Sequence, residues 1–141
     1  MVHALGEIHR VLVPGGMLLD IRPLEAGWPV EVSSETGFEE AGRLTDEPQI
    51  LADDEASGRA MAEVERRGWF RLEQAQEVPY FYYWDRPSEM KEFMETEWER
   101  IEKLEPDVLK TAQSAWASGG PDARVRVRVR LHVARWRKVS G

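Results

Sequence analysis

The chain has 141 residues, of which 42% are hydrophobic and 32% charged, with a formal net charge of −7 at pH 7. This length and composition predict a single globular domain over residues 1–141 with a cytoplasmic location. The absence of Cys excludes disulfides, thiol catalysis and thiolate metal sites. No apolar run approaches the ~20 residues of a membrane helix, and the negative charge disfavours nucleic acid, so neither membrane nor nucleic acid is a predicted partner.

The first residues predict a helix that leads into a buried strand. Apolar residues recur at helical spacing over 2–13, and Pro14-Gly15-Gly16 ends the helix because Pro cannot continue it. The run over 17–22 is apolar on both faces, which is typical of a strand covered on each side. A hairpin over 29–45, turning near Glu35 to Gly37, follows in the predicted order.

The rest of the chain predicts three helices and two long strands. Asp53 or Asp54 is the expected cap of the next helix, and Gly68 ends it. The last strand has the clearest alternation, with arginines on one face and mainly valines on the other. The predicted elements are helices 53–67, 86–103 and 106–117 and strands 69–84 and 123–138.

The string "GEIHRVLVPGG", residues 6–16, resembles a segment of the class I S-adenosylmethionine-dependent methyltransferases, of the type 11-like kind. In that family a helix with this ending leads into the fifth strand of a doubly wound sheet. Val13 stands where Lys is common. The remaining order is also similar to the family's C-terminal half: a helix, a sixth strand, then a seventh strand inserted antiparallel. The matching residues are Leu5, Glu7, Ile8, Arg10, Val11, Leu12, Pro14, Gly15 and Gly16.

The resemblance implies a partial methyltransferase-like sheet, α/β in class and α+β by content. Strand 123–138 would lie between strands 17–22 and 69–84, antiparallel to both. Helices 2–13 and 53–67 would cover one face. The family's fourth strand has no counterpart here, so we expect a bare sheet edge and uncovered apolar surface.

Cofactor binding in the family depends on its N-terminal half. That half carries a Gly-rich loop after the first strand and an acidic residue that holds the ribose hydroxyls. This sequence has no Gly-x-Gly between a strand and a helix. We therefore predict that the chain alone does not bind S-adenosylmethionine, and we assign no catalytic or cofactor-binding residue. A complete assembled domain would bind S-adenosylmethionine.

The resemblance also implies candidate ligand residues. If the chain is the C-terminal half of a methyltransferase, a substrate would lie near the C-terminal end of strand 17–22, by Arg22, Glu25 and Trp28, with Tyr80 and Tyr82 as further candidates. The aromatic run that contains these tyrosines is also typical of a core. Candidate interface residues for a homodimer, whose helical spacing also fits core packing, are Met90, Phe93, Trp98 and Trp116.

Two other groups of residues have simple interpretations. The arginines of the last strand indicate either an anion-binding surface or a solvated face paired with acids such as Glu73 and Glu77. His3 and His9 are six residues apart and do not share a helical face, so no metal site is predicted.

Three functional hypotheses remain open. In the first hypothesis, the chain is a methyltransferase-like module that acts in a dimer or on a small ligand without the cofactor. Alternatively, it is the C-terminal half of a methyltransferase whose N-terminal half is a separate chain or is missing. In the third hypothesis the resemblance is accidental, and an apolar ligand binds between aromatic side chains.

Overall fold

A computed structural model describes residues 1–24 and 27–139. In this part of the chain, four helices and seven mostly antiparallel strands form an α+β fold, as predicted. None of these helices has the length and apolar content needed to cross a membrane. In chain order the elements are α1 (Val2–Val11), β1 (Met17–Leu24), β2 (Pro29–Ser34), β3 (Gly37–Arg43), β4 (Thr45–Asp46), α2 (Pro48–Arg66), β5 (Phe70–Trp84), α3 (Pro87–Glu97), β6 (Glu102–Lys103), α4 (Pro106–Ser118) and β7 (Arg124–Lys138).

The described residues form two compact units. The first unit comprises 1–24, 52–78 and 131–139, and the second comprises 27–51 and 79–130. Strands β5 and β7 and helix α2 contribute residues to both units. The segment that resembles a methyltransferase therefore lies in the first unit.

In the first unit β7 lies between β1 and β5, as predicted. Lys138 N–H donates to Gly16 O at 2.8 Å, and Val139 N–H donates to Trp69 O at 3.0 Å. The end of β7 thus meets the beginnings of both neighbours, so it runs antiparallel to each. Helices α1 and α2 pack on the same core, as expected for helices that cover one face. The buried residues of this core are Leu5, Ala60, Met61, Val64, Phe70, Ala134 and Trp136.

The second unit contains the predicted hairpin. Strands β2 and β3 pair antiparallel, and Ser34 lies opposite Gly37 across the turn. Strand β2 also pairs antiparallel with the first part of β7, where Val30 lies opposite Val127. Helix α4 packs on β2 and β3. The short strands β4 and β6 form a separate two-stranded sheet.

Three predicted helix boundaries are wrong. Helix α1 ends at Val11 because Leu12 is already extended, with φ −70° and ψ 141°. Helix α2 begins at Pro48, so Asp53 and Asp54 lie inside the helix and do not cap it. Helix α3 ends at Glu97, because the chain leaves the helix at Trp98 and then forms β6. Pro48 in the first turn favours the earlier start of α2, and the pairing of β6 with β4 takes the chain out of the helical conformation after α3.

The alternation in β7 holds for only part of its length. Val125, Val127 and Val129 are buried as predicted, and the intervening arginines are not. In the first unit the buried positions become even-numbered, Ala134 and Trp136, and Val133 is only half-buried. The valine face is therefore buried over residues 125–129 and only half-buried at Val133. The first half of β7 buries odd-numbered side chains in the second unit. The other half buries even-numbered side chains in the first unit.

Candidate functional site

An edge strand with an exposed apolar face is the most conspicuous surface of the first unit. Among the described residues β1 pairs only with β7, so its other edge has no strand partner. Met17, Leu19 and Ile21 on this strand are 47%, 53% and 60% exposed. We call these three side chains, with the unpaired backbone beside them, the β1 edge. The expectation that β1 is covered on both faces is wrong for its odd-numbered residues.

The backbone register explains why Pro23 is tolerated in this strand. Gly16 O accepts a hydrogen bond from β7, so the even-numbered residues of β1 direct their backbone groups toward β7. The odd-numbered residues direct theirs to the free edge. Because Pro23 is odd-numbered, its missing N–H falls on the free edge and costs no ladder hydrogen bond. Met17, Leu19 and Ile21 keep N–H groups there that can pair with another strand.

The even-numbered face of β1 becomes polar toward its C-terminal end. Arg22, a predicted ligand residue, contacts Asp20 at 3.3 Å and the Asp54 carboxylate at 3.5 Å. It also donates to the backbone carbonyl oxygen of Asp54 at 3.4 Å. His132 Nε2 lies 3.7 Å from the same Asp20 carboxylate. This cluster links β1, β7 and α2, so the Arg22 guanidinium already has two anionic partners within the unit.

The other predicted ligand residues fall in the second unit or outside the described residues. Glu25 lies outside the described residues. Trp28 is 3% exposed and packs edge-on against Trp98 at 5.4 Å. Tyr82 meets the same Trp98 ring at 4.9 Å, whereas Tyr80 is exposed. The structure therefore brings Trp28 and Tyr82 together around one indole, in the manner of a packed core.

The predicted interface residues pack within the second unit. Met90 and Trp98 are buried, and Phe93 is half-buried at 5.4 Å from the Trp98 ring. Trp116 is half-buried, and its Nε1 donates to Asp85 O at 2.9 Å and Ala123 O at 3.1 Å. These side chains leave little apolar surface for a partner, in contrast to the β1 edge.

The arginines of β7 converge on an acid that the sequence did not single out. Glu31 on β2 is 3% exposed, and its carboxylate accepts Arg126 Nε at 2.7 Å and Arg128 Nε at 3.1 Å. The Arg126 guanidinium lies between the rings of Phe38 and Phe81, at 4.6 and 4.5 Å from their centroids. Burial lowers the pKa of Arg126, but hydrogen bonds with Tyr83 and Glu31 outweigh it and raise that pKa. Only the pairing of β2 with β7 brings Glu31 to these arginines.

One of the acids proposed from the sequence does pair with arginines, at the other end of the strand. Glu73 contacts Arg137 at 2.8 Å and Arg135 at 3.3 Å in the first unit. The pKa of Glu73 is lowered, and the hydrogen bond from Arg137 is the largest cause. Paired arginines therefore account for much of the charge of this strand.

The described residues do not fit the cofactor site of the methyltransferase family. Helices α2, α3 and α4 begin at Pro48, Pro87 and Pro106, and Pro offers no N–H at a helix start. Among the described residues, each Gly with positive φ follows a helix, lies in a turn, belongs to β3 or, in the case of Gly27, lies shortly before β2. No strand in this part of the chain leads into a helix through a Gly-rich loop.

Neither the metal-ligating side chains of the described residues nor comparison with other proteins assigns a function. Within residues 1–24 and 27–139 no group of three or more His, Asp or Glu side chains is placed to hold a metal ion. Comparison with protein-family models, with characterised proteins and with solved structures finds no match for this chain.

Proposed function

We propose that this chain is a methyltransferase-like, cytoplasmic interaction module that assembles through the β1 edge and, alone, neither binds S-adenosylmethionine nor transfers a methyl group. The exposure of Met17, Leu19 and Ile21 on an unpaired strand carries this proposal. An apolar face beside unpaired backbone groups favours strand addition by another chain.

Methyltransferase ancestry is supported by agreement between motif and topology in the first unit. The motif over 6–16 ends α1 and leads into β1. Strand β7 lies antiparallel between β1 and β5, and α1 and α2 pack on one core. This is the arrangement that the resemblance implies for the family's C-terminal half. Among the described residues no Gly-rich loop connects a strand to a helix, which supports the inability to bind the cofactor alone.

A second copy of this chain is the occupant we assign to the β1 edge. In an antiparallel pair of β1 strands centred on Leu19, Met17 of one strand lies opposite Ile21 of the other. All three apolar side chains then share one face across the pair, and Pro23 lies beyond them. The same register places Asp20 opposite Leu18 of the other copy, so the two Asp20 carboxylates do not meet. Self-association therefore requires no like-charge contact at the centre of the pair.

Light scattering of the purified chain over a roughly hundredfold concentration range tests this assembly. The wild type is expected to have the mass of a dimer, and Leu19→Lys that of a monomer, because a charged side chain on an edge strand opposes pairing. Leu72→Lys is the matched control, since Leu72 is 40% exposed in the same unit but lies on β5. A monomeric wild type, or equal dissociation of both variants, would overturn the β1 assignment.

A second candidate is the C-terminal half of an active methyltransferase whose N-terminal half is supplied by another chain. The observation that favours it is again the free edge of β1, where the family places a parallel fourth strand. Calorimetric titration with S-adenosylmethionine separates the two candidates. We expect no heat with the chain alone at millimolar cofactor. Binding that appears only after an N-terminal methyltransferase half is added would establish the second candidate, and micromolar binding by the chain alone would overturn the first.

A further inference from the structure

A cleft in the second unit lies where β5 leads into α3 and where α4 leads into β7. Its volume is 520 Å³, within the range of roughly 300–1,000 Å³ that small-molecule sites occupy. Its polar and aromatic lining residues are Asp85, Arg86, Trp116, Asp122 and Arg124. The cleft is separate from the β1 edge and from the residues proposed above for assembly.

Asp85 fixes the two largest groups of this cleft. Its backbone carbonyl oxygen accepts the Trp116 Nε1–H at 2.9 Å, and its carboxylate accepts Arg124 Nε at 3.2 Å. The Arg124 guanidinium also lies 4.7 Å from the centroid of the Tyr83 ring. An indole and a guanidinium are therefore held in place before any ligand arrives, which lowers the entropy cost of binding.

The charges in the cleft favour an anion that carries a single negative charge. Asp85 is engaged by Arg124, and Asp122 accepts the backbone N–H of Glu35 at 2.6 Å. Arg86 also lines the cleft, is exposed, and has no ion-pair partner among the described residues. One cation is thus available to a ligand, and the outer nitrogens of Arg124 offer further donors. A dianion would meet about twice the repulsion that a monoanion meets from the two carboxylates in the same cleft, with only one unpaired guanidinium to offset it.

The apolar part of the lining favours a ligand with a flat hydrophobic body. Trp116 is half-buried, so part of its ring contributes to the wall. Ala117, Pro121 and Ala123 add small apolar surfaces without further polar groups. We propose that this cleft binds an aromatic monocarboxylate, with its carboxylate on Arg86 and Arg124 and its ring against Trp116.

Phenylacetate is the probe, followed by NMR through the indole N–H signal of Trp116. We expect a saturable shift with a dissociation constant in the millimolar range or below. Arg86→Gln should weaken binding about tenfold or more, because it removes a charge-assisted hydrogen bond. Arg43→Gln is the matched control, an exposed arginine of the same unit that does not line the cleft.

Two further probes test the chemistry of the ligand. 2-Phenylethanol, which lacks the charge, and phenyl phosphate, which carries about two charges at neutral pH, should both bind more weakly than phenylacetate. The proposal is overturned if the Trp116 signal does not saturate, or if Arg86→Gln and Arg43→Gln bind phenylacetate equally well. Equal or tighter binding of either comparison probe would overturn the assignment to a monocarboxylate.

Discussion

The ammonium group of Lys138, at the end of β7, donates a hydrogen bond to the backbone carbonyl oxygen of Leu12 at 2.7 Å and another to that of His9. These carbonyls lie at the C-terminal end of α1, where the last C=O groups lack partners within the helix and the helix dipole favours a cation. The last strand of the chain therefore caps the first helix.

Replacement of Lys138 by Met should lower the free energy of unfolding by about 1–2 kcal/mol, because it removes both hydrogen bonds but keeps most of the apolar stem. Urea denaturation measures this loss. Lys110→Met is the control, since Lys110 is exposed on α4, and a change within about 0.5 kcal/mol is expected there. A loss no larger at Lys138 than at Lys110 would contradict the capping role.

Glu31→Gln tests the buried ion pairs of the second unit. The substitution keeps the shape of the side chain but leaves two arginines facing each other without a charge partner, so a loss on the order of 3 kcal/mol is expected. Glu40→Gln is the matched control on the adjacent strand. Glu40 lies opposite Glu31, has a 46% exposed side chain, and its contact with Arg43 is 3.5 Å. Exposed pairs contribute little, so chemical denaturation should separate the two variants clearly.

Gly42 and Gly58 should respond in opposite directions to replacement by Ala. Gly42 has φ +149°, and a Cβ there would lie 2.8 Å from Val108 Cγ2, so Gly42→Ala should cost about 1–3 kcal/mol. At Gly58, inside α2, a Cβ would meet open space. Gly58→Ala should therefore stabilise the protein by about 0.5–1 kcal/mol. Thermal unfolding of both variants gives the sign of each change in stability. A Gly42→Ala variant as stable as the wild type would contradict the close packing of α4 on β3.

The Glu73 carboxylate should make stability depend on acid pH. The hydrogen bond from Arg137 lowers the pKa of Glu73 below its ordinary value of 4.5, although partial burial opposes this effect. A carboxyl group with a lowered folded-state pKa stabilises the fold above the unfolded-state pKa. That contribution is lost as the pH falls through the folded-state pKa. Glu73→Gln should therefore be less stable than the wild type near neutral pH, and the difference should shrink in acid. A pH-independent difference in urea denaturation would contradict this linkage.

Local patterns predicted the type and order of the main elements well. Pro14-Gly15-Gly16 follows α1, the turn of the β2–β3 hairpin falls near Gly37, and Pro87 and Pro106 begin α3 and α4. Each of these signals depends on the conformational limits of one or two residues, so it needs no knowledge of the rest of the fold. The position of β7 between β1 and β5 was also predicted, but through resemblance and not from residue patterns alone.

The candidate sites could be predicted only in part. Arg22 was singled out, yet its partner Asp54 comes from the middle of α2, 32 residues away. Glu31 was missed because a single acid in a hairpin strand carries no local signal of burial. The cleft that Arg86, Trp116 and Arg124 line joins the ends of four elements. Such groupings depend on strand register and helix packing, which a linear pattern does not encode.

The sequence by itself determined where the chain can be helical or extended, because hydrophobic period, Pro and Gly act over a few residues. It also determined that β7 would present its arginines on one face over residues 124–130. Only the tertiary structure decided which of these arginines are paired and which face of β1 is exposed. It also decided where along β7 the buried side chains change from odd-numbered to even-numbered residues. Those outcomes depend on contacts between residues far apart in sequence, where burial and charge pairing outweigh local preference.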